Sequence, residues 1–256
     1  MIPGSRSMGF NPYLHALRGV AATAVLLFHW YQFFPAAASA IRPSQWGGTL
    51  LDPTVYLGFG WMGVPLFFVL SGYLLGGQVV HSKLDGAFLR RFWLRRFLRI
   101  YPAVWAELII LLLLGTVIAE LISPQGMATL PLQFLLWINL PPFMAQPING
   151  VWWTLPVELG FYLLLPLIGL LLRYVTWAAL LASAVMITVG WRAGWHLATE
   201  TDNYLTILPV LDSLPGVLLT FMLGFSLNFL PDQLSVTQRR RESSFHLRAS
   251  GVDAMA

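Results

Sequence analysis

Two ionisable residues, Arg18 and His29, lie eleven positions apart with only small and apolar residues between them. In an α-helix, eleven steps of 100° return to within about 20° of the starting direction and climb roughly 16 Å, so both side chains share one face. Ionisable groups in so apolar a helix are costly and are functional candidates by default, which makes His29 and Arg18 candidate catalytic residues. A histidine that bonds a neighbouring helix for structural reasons is the alternative.

Residues 90–102 carry the densest positive charge in the apolar part of the chain. Arg91, Arg95 and Arg99 are spaced four apart and form one helical stripe, with Arg96 beside it and aromatic residues interleaved. Guanidinium groups match phosphate geometry, so the stripe predicts a binding site for a cytosolic polyanion. An amphipathic helix that grips anionic lipid headgroups accounts for the same pattern. The spacing alone leaves both interpretations open.

A carboxylate and a phenol, Glu158 and Tyr162, stand one turn apart on a predicted apolar helix that follows Trp153. A buried carboxylate must pair with a cation or hold a proton, and either state suits a proton relay with His29. A purely structural ion pair is the alternative. Glu107 and Asp212 belong to no motif and remain unassigned.

Several kinds of site are excluded or disfavoured by residue content. The chain has no cysteine, which rules out disulfides and thiolate catalysis. No Gly-x-Ser-x-Gly elbow is present, and a packing role that lets another helix approach is favoured for Ser71 and its neighbour Gly72. No group of His, Asp and Glu has metal-ligand spacing, so we expect no metal site.

The elements that position these residues are predicted to be membrane helices. Apolar residues make up 57% of the 256 residues and charged residues 10%, whereas a soluble domain carries about 25% charge. The predicted fold is an all-α, polytopic transmembrane helix bundle of about six spans: residues 13–34, 58–79, 100–121, 155–172, 174–192 and 207–229. The stretch Leu130–Leu140 is predicted to be interfacial or re-entrant, and the rest of the loop at 121–153 to contain turns rather than a packed element.

Charge distribution predicts the orientation of the spans. With the N-terminus in the cytoplasm, thirteen lysines and arginines fall inside and two outside, a strong positive-inside bias. This bias also explains the basic pI of about 9.7 without nucleic acid, which is not an expected partner. Residues 1–231 form the predicted membrane domain, and the polar residues 232–256 a disordered cytoplasmic tail.

Taken in order, four segments resemble the acyltransferase 3 family of multispan membrane acyltransferases. The resemblance covers about residues 11–230 and lies in Leu17-Arg-Gly with His29, Gly63–Tyr73, Arg95-Arg-x-x-Arg-Ile-Tyr-Pro102 and Ile148–Pro166, with a weaker match at Phe221–Gly224. It implies transfer of an acyl group, commonly acetyl, from cytosolic acyl-CoA to a hydroxyl of an extracytoplasmic carbohydrate or small-molecule acceptor. It also implies a protein of the bacterial inner membrane, in contact with lipid, with acyl-CoA as donor substrate and no bound cofactor.

The resemblance and the residue chemistry together suggest one mechanism. Arg91, Arg95, Arg96 and Arg99 hold the CoA phosphates on the cytoplasmic side, where Arg18 also lies. His29 acts as general base on the acceptor hydroxyl or as an acylated nucleophile, and Glu158 fixes its tautomer or accepts the proton. The remaining candidates for substrate contact or packing are Ser71, Tyr73, Trp153 and Tyr162.

Two rival hypotheses use the same residues. A transporter or flippase component would employ the buried charges as a pathway, although the sequence shows no internal symmetry. Family members usually have about ten spans, and the polar shift at Asp232 falls where further spans are expected. The second rival is therefore an inactive, truncated or frameshifted fragment that serves as a binding or assembly subunit.

Overall fold

The computed structural model describes residues 11–40, 49, 51–115, 123–140, 144–199 and 204–230. Throughout these residues the regular structure is helical and no strand occurs, which confirms the all-α prediction. The predicted tail at 232–256 lies outside the described residues. The α-helices are α1 (Pro12–Phe33), α2 (Pro35–Ala40), α3 (Pro53–Gly58), α4 (Gly63–Val80), α5 (Gly86–Leu113), α6 (Pro124–Leu135), α7 (Thr154–Leu171), α8 (Trp177–Ala198), α9 (Tyr204–Leu211) and α10 (Leu214–Ser226).

Three helical segments in the described part of the chain are long and apolar enough to cross a membrane: Pro53–Val80, Gly150–Leu171 and Trp177–Ala198. They correspond to three of the six predicted spans. Large apolar side chains also face outward, among them Met186 and Leu197 of α8, which are 74% and 82% exposed. An apolar surface of this kind is suited to lipid and unsuited to water.

Two predicted spans have different bounds in the structure. The span predicted at 100–121 belongs to a helix that begins at Gly86, because the Asp85 side chain caps it by accepting from the Phe88 amide at 2.7 Å. The arginine-rich segment is therefore the first half of α5, and residues 116–121 of the predicted span lie outside the described part. The span predicted at 207–229 is divided into α9 and α10 at Asp212 and Ser213, since Pro215 suits the first turn of a new helix.

The predicted description of residues 121–153 as turns was incomplete. Helix α6 occupies Pro124–Leu135, and its continuation is packed rather than exposed, with Leu136 2% and Ile138 0% exposed. At 12 residues α6 is too short to span a bilayer, which agrees with a short element in this region.

The core of the bundle is the contact between α4 and α10. A Cβ atom added to Gly72 would lie 1.9 Å from the Phe221 carbonyl oxygen, and one added to Gly224 would lie 1.8 Å from that of Val69. The two backbones therefore touch, which is the close approach predicted at Ser71-Gly72. Around this contact Phe221 stacks between Phe68 and Phe161, with ring centroids 4.5 Å and 4.1 Å away.

Helix α1 packs on the 3₁₀ turn Phe59–Met62 and on the start of α4. Here too glycines allow backbone contact: a Cβ at Gly60 would lie 2.2 Å from the Ala24 oxygen, and one at Gly63 2.5 Å from that of Ala21. Ala21 is the one fully buried residue of α1. This seam fixes the helix that carries Arg18 and His29 against the bundle.

Candidate functional site

A pocket of about 340 Å³ lies between the end of α4 and the first half of α5. Three of the four arginines predicted to bind a polyanion line it, namely Arg91, Arg95 and Arg96. The other lining residues are Gln78, Ser82, Phe88 and Phe92. Arg91 and Arg95 thus share one face of α5, as their spacing predicted, and they line a concave surface.

Aromatic packing positions the arginines of this pocket. Phe92 is buried, and its ring stacks on that of Phe88 at 5.8 Å, which fixes this face of α5. Arg91 remains on the surface and donates from Nε to the Ala87 carbonyl at 3.2 Å. Apolar faces beside exposed guanidinium groups suit a ligand that has both phosphates and a flat ring.

Arg96 points from the pocket toward the interior of the bundle. Its guanidinium carbon lies 5.5 Å from the Phe92 ring centroid and 5.7 Å from that of Tyr162, within cation–π range. One terminal nitrogen donates to Gln78 Oε1 at 3.4 Å. Its buried Nε has no hydrogen-bond partner among the described residues.

Beyond Arg96 lies a group of five residues that we call the charged cluster: Arg18, Arg96, Arg99, Glu158 and Tyr162. The Tyr162 hydroxyl donates to Glu158 Oε2 at 3.0 Å. Arg18 and Arg96 lie within electrostatic range of both residues, and Arg99 lies within electrostatic range of Tyr162. Trp93 Nε1 donates to the Tyr162 carbonyl at 3.2 Å and ties α5 to α7. With three guanidinium groups against one carboxylate, the cluster favours an anionic ligand.

His29 lies apart from the charged cluster. Its described contacts are with its own helix: Nδ1 is 2.8 Å from the Val25 carbonyl, and its ring packs against Phe28 and Phe33. A carbonyl oxygen only accepts, so this bond assigns the proton to Nδ1 and leaves Nε2 as the basic nitrogen. Nε2 has no hydrogen-bond partner in the described part of the chain.

This geometry bears on one part of the sequence-based mechanism, in which Glu158 fixes the tautomer of His29 or accepts its proton. In the structure His29 Nδ1 bonds the Val25 carbonyl, and the described hydrogen bond of Glu158 is with Tyr162. The structure places Arg18 within electrostatic range of Glu158, and the Arg96 guanidinium over the Tyr162 ring. It does not bring His29 to any of them.

Two acidic residues left unassigned by the sequence have clear partners. Asp212 forms an ion pair with Arg192 at 2.6 Å, and Arg192 Nε also donates to the Gly216 carbonyl at 2.8 Å. The predicted topology places Arg192 and Asp212 at the same side of the membrane, and this was the one signal in the sequence for their ion pair. Glu107 accepts hydrogen bonds from Asn149 Nδ2 and from Trp152 Nε1, the latter at 2.9 Å. Nothing in the local sequence indicates these two contacts.

The remaining candidates occupy packing positions. The Trp153 ring meets that of Phe68 edge-on at 6.4 Å, and the Tyr73 carbonyl accepts from Asn228 Nδ2 at 3.1 Å. Ser71 is half-buried beside the Gly72 contact. Within the described residues, no group of three or more His, Asp or Glu side chains is arranged to hold a metal ion.

The bundle has three helical segments that are long and apolar enough to cross a membrane, and its arginine pocket and charged cluster form a candidate site for an anionic ligand. The family model described as an acyltransferase domain matches residues 11–245, and the chain belongs to this family, the acyltransferase 3 family. The resemblance seen in the four motifs is thereby confirmed.

Curated relatives are similar to the chain over part of their length. The acyltransferase MdmB of Streptomyces mycarofaciens is 32% identical over 193 residues, which cover 70% of this chain and 45% of that protein. Nodulation protein 10 of Rhizobium leguminosarum is 29% identical over 58% of this chain and 43% of its own length. The peptidoglycan O-acetyltransferase OatA of Listeria monocytogenes is 26% identical over 67% of this chain and 26% of its own. The chain thus spans less than half the length of these relatives, and no solved structure matches it.

Proposed function

We propose that this protein acts as a membrane acyltransferase of the bacterial inner membrane. It moves an acyl group, acetyl in the common case, from cytosolic acyl-CoA to a hydroxyl of an extracytoplasmic carbohydrate or related acceptor. The observation that carries this proposal is the arginine pocket, which leads through Arg96 to the charged cluster. The family supports the reaction class, and the names of two relatives describe acyl or O-acetyl transfer.

The pocket suits the nucleotide part of CoA. Arg91 and Arg95 offer guanidinium forks to the pyrophosphate and 3′-phosphate, and the half-buried Phe88 offers flat apolar surface for the adenine. Its volume of about 340 Å³ is at the lower end of the range for ligand sites and fits this part of the donor alone. The acyl-bearing arm then extends past Arg96 into the bundle.

The chemistry requires a base at the acceptor hydroxyl, and His29 Nε2 is the candidate. As general base it takes the hydroxyl proton while the oxygen forms a bond to the thioester carbonyl carbon. The carbon–sulfur bond then breaks, CoA leaves as thiolate, and the imidazolium returns the proton to that sulfur. Such proton transfer contributes about 10²–10⁴ in rate. The alternative in which Nε2 itself is acylated uses the same nitrogen as nucleophile.

Sealed membrane vesicles test the activity and the orientation together. Radiolabelled acetyl-CoA is added outside inside-out or right-side-out vesicles from bacterial cells that express the protein, and label in envelope carbohydrate is measured. We expect transfer only in inside-out vesicles, where the cytoplasmic face meets the donor. Vesicles from cells without the protein are the control. Acetyl-CoA binding without transfer in either orientation would contradict the proposal and favour a binding or transport role.

A further inference from the structure

Glu107 joins α5 to the segment that directly precedes α7, and the proposed reaction requires these two helices to stay in register. Its two carboxyl oxygens accept separate hydrogen bonds, one from Asn149 Nδ2 and one from Trp152 Nε1. Both partners can only donate through these nitrogens, so Glu107 acts here as a double acceptor. Trp152 is 3% exposed, and the contact is therefore sheltered from solvent.

The segment held by Glu107 leads directly into α7. Asn149 caps the 3₁₀ turn Gly150–Trp153 by accepting from the Val151 amide at 3.0 Å, and α7 begins at the next residue, Thr154. A second buried side chain, Gln133 of α6, bonds the residues that precede Asn149. It donates to the Gln146 carbonyl at 2.7 Å and accepts from the Ile148 amide at 3.2 Å.

The position of the Glu107 contact along α5 and α7 affects the geometry of the charged cluster. Glu158 follows Trp152 by six residues, about 9 Å along the helix, and Arg99 precedes Glu107 by eight residues, about 12 Å. Helices α5 and α7 are therefore joined at one level by Glu107 and at another by the charged cluster, where Trp93 also bonds the Tyr162 carbonyl. A shift of α7 against α5 at Glu107 moves Glu158 and Tyr162 relative to the arginines.

We propose that Glu107 is a positioning residue for acyl transfer: its two hydrogen bonds fix the register of α7 against α5, so that Glu158 and Tyr162 face Arg96 and Arg99. This inference rests on the proposed function. Glu107 does not contact the arginine pocket, so its effect is on turnover and not on donor binding.

An exchange of donor and acceptor across the contact tests the inference. In Glu107→Gln the new amide faces the Asn149 amide, so one donor loses its acceptor. In Asn149→Asp two carboxylates face each other and repel. When both changes are combined, the Gln amide donates to Asp, its oxygen accepts from Trp152, and Asp retains the cap on Val151. The net charge of the chain is then the same as in the parent.

The expected result is a loss of turnover that the double variant restores. Each single variant should lower the maximal rate of label transfer from acetyl-CoA, per folded molecule, about tenfold or more, while the KM for acetyl-CoA changes less than about twofold. The double variant should recover to within about threefold of the parent. The inference would be overturned if the single variants reduce the amount of folded protein but leave the turnover per folded molecule unchanged. Losses that simply add in the double variant would also overturn it.

Hydrogen exchange separates failure of this inference from failure of the proposed function. Amides of residues 150–158 should exchange faster in each single variant and return to the parent rate in the double variant. If the parent transfers no label, the proposed function fails and the positioning role fails with it, whereas this exchange pattern still establishes the hydrogen-bonded contact. Transfer by the parent together with unchanged exchange in both single variants overturns the inference alone.

Discussion

The Tyr162 hydroxyl donates a hydrogen bond of 3.0 Å to the Glu158 carboxylate one turn earlier in α7. The Tyr162 ring also lies under the Arg96 guanidinium, and its backbone carbonyl accepts from Trp93. One buried side chain thus links the carboxylate to the arginine that lines the pocket. This link connects the arginine pocket with the interior of the bundle.

Removal of the Tyr162 hydroxyl should break the hydrogen bond to Glu158 and leave the Tyr162 ring beneath Arg96. We expect Tyr162→Phe to lower acyl transfer about tenfold to a hundredfold, because a hydrogen bond to a charged group contributes roughly 1.5–3 kcal/mol. The thermal midpoint in detergent should change by only a few degrees. A double-mutant cycle with Glu158→Gln supplies the control, and effects of the two changes that add independently would contradict this link.

The arginine pocket should bind the donor. We expect Arg91→Ala combined with Arg95→Ala to raise the Kd for acetyl-CoA about tenfold to a hundredfold, since both guanidinium groups line the pocket. Arg90→Ala is the matched control, because Arg90 is exposed on the same helix and does not line the pocket. Binding is measured by calorimetry in detergent at two salt concentrations. If the double variant binds acetyl-CoA as tightly as the parent but binds anionic lipid vesicles more weakly, the arginines would instead bind lipid headgroups.

We expect His29 to take part in the acyl-transfer reaction rather than only to stabilise the fold. His29→Asn retains an amide donor near the position of Nδ1, within reach of the Val25 carbonyl, but it has no nitrogen that accepts a proton near neutral pH. We expect this variant and His29→Gln to lower acceptor acylation by about a hundredfold or more, with normal membrane levels and donor affinity. Retention of more than about a tenth of the parent rate would assign His29 a structural role and make Glu158 the next candidate base.

The contact between α4 and α10 should tolerate no side chain at Gly72. An added Cβ would meet the backbone oxygen of Phe221, so we expect Gly72→Ala to lower the free energy of unfolding by about 1–3 kcal/mol or more. Gly190→Ala in α8 is the control, because no described atom other than its own helix backbone and chain neighbours lies within 4 Å of the added Cβ. That substitution should be neutral or stabilising by up to about 1 kcal/mol. Thermal unfolding in detergent, followed by circular dichroism, compares the two, and equal midpoints would contradict the backbone contact.

Local patterns in the sequence determined a large part of this description. The apolar stretches predicted the helical bundle, since each helix closes its own backbone hydrogen bonds. The spacing of Arg91 and Arg95 predicted that they share one face, because helical periodicity depends only on neighbouring residues. The pair Ser71-Gly72 predicted a close approach, because a residue without a side chain permits one wherever the partner lies.

The partners themselves were decided by the tertiary structure. Glu107 and Trp152 are 45 residues apart, and no local pattern indicates that their side chains meet. The same holds for Arg18, which lies within electrostatic range of Glu158 on another helix, and for His29, whose Nδ1 bonds the Val25 carbonyl while Glu158 bonds Tyr162. A sequence shows which face of a helix a residue occupies. The rotation and depth at which two helices pack decide which charges share a site, and these depend on contacts such as Gly60 against Ala24 that only the folded bundle contains.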